Sequence, residues 1–162
     1  HTLFPYTTLF RSIQKQRTNA VSDDYFDISL FYPGFKARVT AGVLVNVASP
    51  KFLLLGEKGS FQKFYLDVQE QAFKDGKTPE GENWGVDFEE RWGKLYLETE
   101  TRPLPTEKGD YRIFYQNVAN AIYQKEPLKV TAAQTITILK IIEAAFLSAQ
   151  EGRKINQQEG TW

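Results

Sequence analysis

The polar and aromatic side chains with types suited to chemistry gather in the middle of this sequence. Lys63, Tyr65 and Asp67 alternate along KFYLD, and Trp84 and Trp92 bracket Asp87, Glu89 and Glu90 a little further on. Lys63, Tyr65 and Asp67 follow a predicted strand at the mouth of a long loop, where strand ends commonly present polar groups to a ligand. Taken alone, the same three also read as ordinary surface residues. The tryptophan faces suit stacking on sugar rings, or equally anchoring the loop onto a sheet. Asp87, Glu89 and Glu90 have the residue types of a glycosidase pair, although acids clustered on a polar loop are usually a solvated face. His1 is the single histidine, so from Ile13 onward any proton transfer near neutral pH falls to a perturbed Lys, Asp, Glu or Tyr. With no Cys, the sequence has no disulfide, no thiolate nucleophile and few means of holding zinc, and no metal site is expected.

Two apparent phosphate motifs fail on spacing. GEKGS at Gly56 to Ser60 lacks the four residues that separate the glycines of a phosphate loop, and Lys58 precedes Gly59 instead of following it. It reads as a hairpin turn. No G-x-G-x-x-G occurs, so the chain carries no dinucleotide fingerprint of its own.

The 162 residues suit one domain and one compact unit. Twenty basic and twenty acidic side chains cancel, which leaves no long-range field to gather nucleic acid or anionic lipid. The basic pair Arg153 and Lys154 sits just past a predicted helix end, where the helix dipole attracts it. No uninterrupted run reaches the roughly 18 apolar residues of a membrane helix. The expectation is a cytoplasmic protein with neither a nucleic-acid nor a membrane partner.

Hydrophobic periodicity gives the elements that must position those side chains. DYFDISLFYPGFKARVTAGVLVNV reads as a β-hairpin about Pro33 and Gly34. Its second arm puts Ala37, Val39, Ala41, Val43, Val45 and Val47 on one face and Arg38, Thr40 and Asn46 on the other. KFLLLGEKGSFQKF forms a further strand pair turning at Gly56 to Gly59, and KLYLETETR one more strand. Residues 64–93 show no clear period, yet their two tryptophans favour an ordered loop.

Asp110 can cap a first helix with a stripe of Phe114, Val118, Ala121 and Ile122, after which Pro127 interrupts. Thr131 and Gln134 form a capping box for a second helix. There Ile138, Leu139, Ile142, Ala145, Phe146 and Ala149 make the expected buried stripe, and Gly152 the stop.

The fold class is therefore α+β: two layers, a mostly antiparallel open β-sheet of about five strands with helices packed on one face. Such a sheet is about 24 Å wide, and two helices of about 10 Å diameter cover only one side of it. The other side, carrying Tyr25, Phe31, Leu44 and Tyr96, is expected to meet a second copy or another domain.

The order of the pieces adds a resemblance. DDYFDISLFY, KGSFQKFYLDVQE, GDYRIFYQNVANAI and PLKVTAAQTITILKIIEAAFLSAQEGRKI together resemble the C-terminal half of the glucose–fructose oxidoreductase, inositol dehydrogenase and MocA (Gfo/Idh/MocA) family. The closing V-T-A with a long helix ending S-x-x-x-G-R is the most specific part. The resemblance implies a two-domain oxidoreductase for sugars, cyclitols or related polyols, with NAD or NADP bound by an N-terminal Rossmann domain absent from this chain. It implies that the half seen here completes the substrate pocket, with Lys63, Tyr65, Asp67 and Trp84 as candidates for its wall. It also implies a homodimer or homotetramer assembled through the open sheet face. The family's catalytic Lys, Asp and His match no position in this sequence, so the chain alone is expected not to transfer hydride.

The opening HTLFPYTTLFRS resembles a translated sequencing adapter. On that reading residues 1–12 are foreign and residues 13–162 are the C-terminal substrate-binding and oligomerisation domain of a truncated oxidoreductase. The alternative for residues 1–12 is a genuine strand, since Thr, Leu, Phe and Tyr have real β-propensity. The competing function is a non-catalytic α+β binding or dimerisation module, with a small glycosidase using Asp87 and Glu90 the remote third.

Overall fold

In the computed structural model, which describes residues 8–156, the chain runs β1 (Thr8–Gln14), β2 (Tyr25–Tyr32), β3 (Phe35–Gly42), β4 (Phe52–Gly56), β5 (Gly59–Lys63), α1 (Gln69–Lys74), a 3-10 turn at Glu89–Arg91, β6 (Gly93–Tyr96), β7 (Thr101–Leu104), α2 (Arg112–Ile122), α3 (Ala132–Glu151) and β8 (Ile155–Asn156). The α+β class and the antiparallel pairing are as expected. The single sheet and the single compact unit are not. The strands form two four-stranded sheets, β3-β2-β1-β8 and β4-β5-β6-β7. The described residues up to Asn46 and those from Val130 on make one unit, and Val47–Lys129 the other.

In the first unit, Tyr32 pairs with Phe35 across the Pro33-Gly34 turn, where Gly34 has φ +87°. Only glycine takes that value without strain. The register sets Ile28, Leu30, Tyr32 and Ala37 on one face, where they pack with Ala144, Ala145, Ile141 and Leu147 of α3 and with Ile155 of β8. On the opposite face Asp27 accepts from the Arg38 guanidinium, at 2.9 Å from Nε.

β1 joins β2 and β8 and crosses the expected adapter boundary. Ser12, Ile13 and Gln14 pair with Asp27, Phe26 and Tyr25, and Thr8 to Arg11 continue the same ladder. Residues 1–7 of that segment lie outside the described residues.

β3 stops at Gly42 instead of Val47. Val43, Val45 and Val47 are exposed, because among the described residues no strand pairs with them to hold the pleat. The residues expected on the partner face do not belong to one sheet either. Tyr25 and Phe31 share a face of the first sheet, Leu44 follows the end of β3, and Tyr96 belongs to the second sheet.

The capping box at α3 is present: Gln134 N–H donates to Thr131 Oγ1, Thr131 N–H donates to Gln134 Oε1, and Gly152 ends the helix in the left-handed conformation. The buried stripe is rotated from the expected one. Ala144, Ala145 and Ser148 are buried, whereas Ile138, Leu139, Ile142 and Phe146 are exposed. Small side chains let the helix approach the sheet closely, and Ser148 Oγ donates to the carbonyl of Arg153 at 2.7 Å. By length and composition α3 could cross a membrane; Lys140 and Glu143 interrupt it, and it packs on β1 and β8.

In the second unit, the hairpin β4–β5 turns through Glu57 and Lys58, and KLYLETETR is two strands because Leu97 and Glu100 close a turn. The α2 stripe also differs. Asn117 is the buried residue, accepting from Lys129 N and donating to Pro127 O, while Phe114 and Ile122 are exposed. Asp110 accepts from Arg112 N–H at 3.0 Å, although the helix cap itself is Tyr111.

Candidate functional site

Three strand and loop ends of the second unit converge on Asp87. β5 delivers Lys63 at its last position, and the chain leading to the 3-10 turn delivers Asp87 and then Arg91 one helical turn on. Lys63 Nζ donates to Asp87 Oδ2 at 2.7 Å and to Thr106 Oγ1, and Arg91 Nε donates to Asp87 Oδ1 at 2.9 Å. Both side chains of the Lys63–Asp87 pair are buried. A buried carboxylate survives only with partners of this kind. Burial pushes the Asp87 carboxyl up, but the Lys63 and Arg91 hydrogen bonds and the Lys63 charge outweigh it and hold the group below the ordinary carboxylate value. It therefore stays ionised, which removes it as the general acid of a glycosidase.

Arg91 extends the group outward. Its guanidinium lies over the Tyr65 ring, 4.5 Å from the centroid, and Nη2 donates to Leu66 O at 3.1 Å. Trp92 Nε1 donates to Asp87 O at 3.2 Å.

A second network centres on Gln69, which is 1% exposed. Its Oε1 accepts from Trp84 Nε1 at 2.7 Å and from Tyr111 N at 3.0 Å, which fixes the amide orientation. Its Nε2 donates to both Asp67 carboxylate oxygens at 3.0 Å. Phe73 meets Trp84 edge-on and stacks with Tyr111. Gly85, at φ +75°, lies so close to Gly109 that an added Cβ would fall 1.8 Å from Gly109 O. Two loops thus cross backbone to backbone beneath Trp84.

A cavity of about 310 Å³ opens beside this network, lined by Gln69, Gln71, Lys77, Trp84, Phe88 and Arg91 among others. A shallower hollow shares Lys77, Asn83 and Trp84 with it. Of the four residues singled out by sequence, Trp84 lines the cavity. Lys63 and Asp67 are held by Asp87 and Gln69, and Tyr65 sits under Arg91. Sequence reasoning passed over Gln69, Arg91 and Lys77, although the Asp-x-Gln spacing at Asp67 and Gln69 is a local signal for the 2.7 Å bond from Gln69 N to Asp67 Oδ1. Among the described residues no cluster of His, Asp or Glu could hold a metal ion. The arrangement can position a polar ligand.

A family model described as the C-terminal alpha/beta domain of an oxidoreductase family matches residues 1–156. The chain is 35% identical over 148 residues to scyllo-inositol 2-dehydrogenase (NADP(+)) IolW of Bacillus subtilis, covering 89% of this chain and 41% of that protein. It is 33% identical to the uncharacterized oxidoreductase YdgJ of Escherichia coli, covering 83% of this chain and 39% of that one. The solved structure of Bacillus subtilis YvaA matches with TM-score 0.88 at 34% identity, over 93% of this chain and 45% of that chain. An oxidoreductase from Bacillus cereus matches with TM-score 0.82 at 27% identity, over 93% and 46%. The chain spans less than half the length of each of these relatives.

Proposed function

We propose, from the premise that this chain belongs to the Gfo/Idh/MocA oxidoreductase family as its C-terminal α/β domain, that it is the substrate-side part of an NAD(P)-dependent dehydrogenase acting on a sugar, cyclitol or related polyol. The observation that carries this reading is the pairing of a family match over nearly the whole chain with a site of locked, positioned polar groups. The inositol substrate of IolW is a ring of hydroxyls, a ligand that asks for many fixed hydrogen-bonding groups. In this reading the Trp84 cavity, with Tyr65 beside it, forms part of the pocket wall. Lys63 and Asp67 act from behind it by fixing Asp87 and Gln69.

The residues present do not fit a nicotinamide dinucleotide. Among the described residues no glycine-rich turn leads from a strand into a long helix, the arrangement that cradles a pyrophosphate. We therefore assign NAD or NADP to an N-terminal domain of the parent, together with the acid–base residues. What this half contributes is orientation of the substrate beside the cofactor. We also read residues 1–12 as adapter-derived sequence, of which residues 8–12 lie in β1. A backbone ladder accepts any β-competent sequence, so the β1 register is compatible with that reading. Assembly into a homodimer or homotetramer through the face of the first sheet that carries Tyr25 and Phe31, and a cytoplasmic setting, complete the proposal.

Sequencing the genomic locus across Ile13 tests it. The expected result is an upstream frame encoding a strand followed by G-x-G-x-x-G, and none of HTLFPYTTLFRS. A start codon directly before Ile13 would overturn it in favour of a free-standing binding module.

A further inference from the structure

The cavity beside Trp84 has more positive than negative charge around it. Lys77, Arg91 and Asp75 line it, Arg91 is bonded to the buried Asp87, and Asp87 in turn to the buried Lys63. One carboxylate thus serves two cations, Lys63 at 2.7 Å and Arg91 at 2.9 Å, and the cluster keeps a positive charge in excess. Asp75 does not cancel it, because Lys77 adds a further cation. Three cations therefore stand against two carboxylates. The Asp67 carboxylate, engaged by Gln69, is not part of the lining, and neither are Glu89 and Glu90, which are exposed on the 3-10 turn.

The excess sits on donors that are fixed and unfilled. Arg91 is oriented by Asp87 at Nε, by the Leu66 carbonyl at Nη2 and by the Tyr65 ring beneath it, yet its Nη1 has no acceptor among the described residues. Its side chain is only 31% exposed, so water screens the charge less than on an open surface. Lys77 Nζ has no hydrogen-bond or ion-pair partner among the described residues. Asp75, by contrast, already accepts from Gln71 Nε2 at 2.8 Å. A guanidinium already held in place loses little freedom when it takes up a carboxylate, whose two oxygens match its fork.

The remaining lining limits the size and character of what enters. About 310 Å³ lies at the small end of the roughly 300–1,000 Å³ range of ligand pockets, room for one ring. Val68, Ala72, Trp84 and Phe88 offer apolar surface for its C–H faces, and the Asn83 and Gln71 amides can meet hydroxyls.

We propose that this cavity prefers a polyol that carries one carboxylate, a sugar acid, with Arg91 and Lys77 as the residues that set the preference. The proposal rests on the reading of the Trp84 cavity as part of the pocket wall, and it names the substrate class that the wall favours. One acid group supplies the single negative charge the cavity lacks. Neutral polyols bind to the same wall without that ion pair, and so more weakly.

Calorimetry on the 162-residue chain at pH 7 tests this with three probes: D-glucuronate, its neutral counterpart D-glucose, and acetate as the acid group alone. Glucuronate should bind roughly tenfold or more tightly than either of the others, a margin that one charge-assisted pair supplies. Added salt should weaken glucuronate and leave glucose unchanged. Lys77→Gln, at an exposed position where folding is not at stake, should reduce the preference several-fold; Arg91→Gln should abolish it and Arg91→Lys restore part of it. Equal affinity for glucuronate and glucose would overturn the inference and leave the polyol wall standing. Equal affinity for glucuronate and acetate, or binding of none of the three, would overturn the inference and the polyol wall together. A preference for glucuronate that survives Lys77→Gln and Arg91→Gln would overturn the assignment to this cavity.

Discussion

The two units are held together by opposite kinds of interior. In the first, the buried residues are Leu30, Ala144, Ala145 and Ile155, an apolar contact between sheet and helix with Ser148 at its margin. In the second, the buried side chains are Lys63, Gln69, Asp87 and Asn117, with Trp84. An apolar interior tolerates shape changes at a modest cost. A polar one holds only while each donor has its acceptor, and in return it fixes side chains to within a hydrogen-bond length. The contrast matches the proposal, in which the second unit positions a ligand and the first serves as scaffold.

If that contrast holds, removing one member of a charge cluster should do more damage than emptying part of the apolar core. Asp87→Ala strands Lys63 and Arg91 and is expected to destabilise by about 3–5 kcal/mol in urea unfolding followed by tryptophan fluorescence. Lys63→Met with Asp87→Leu should recover most of the loss, because a well-packed apolar pair avoids the desolvation cost altogether. Recovery would confirm that the pair serves placement more than stability. The same pair sets an acid limit. The folded Asp87 carboxyl lies below its unfolded value of about 3.9, so its contribution is present above that pH and lost as pH falls through the folded value. Acid titration should show an unfolding step below about pH 4 that disappears in the Met/Leu double variant.

In the first unit, Ile155→Ala should cost about 3 kcal/mol by leaving a cavity beneath α3. Back in the second, Gln69→Leu leaves the Trp84 and Tyr111 N–H groups without their acceptor. It is expected to cost about 2 kcal/mol and to change the Trp84 emission. The smallest effect belongs to Thr131→Ala, which removes the capping box of α3 for about 1 kcal/mol. An Ile155→Ala effect exceeding that of Asp87→Ala would break the comparison.

The same division governs what the sequence makes legible. The Pro33-Gly34 hairpin, the Glu57-Lys58 turn, the Thr131 capping box and the Gly152 stop are decided within a few residues, and each was readable. The α3 stripe was misread because periodicity finds the broadest apolar face, whereas the sheet admits the face with the smallest side chains, Ala144, Ala145 and Ser148. The strand beyond Gly42 was misread because alternation describes a pleat without supplying a neighbour to hold it. The network around Asp87 and Gln69 was out of reach for a different reason. Its partners lie 24 residues apart for Lys63 and Asp87 and 42 for Gln69 and Tyr111, and no local pattern encodes such meetings. Lys63 and Asp67 stood out as polar groups at a strand end; that they fix other residues from behind became visible only in three dimensions.

In the function proposed, this chain positions a polyol while the hydride chemistry resides on an N-terminal domain of the parent. The most direct test compares nicotinamide absorbance for two proteins, the 162-residue chain and the complete reading frame recovered from the locus, each supplied with scyllo-inositol and either NAD or NADP. The complete protein should turn over the cyclitol and the chain alone should not. Oxidation of the cyclitol by the isolated chain would contradict it.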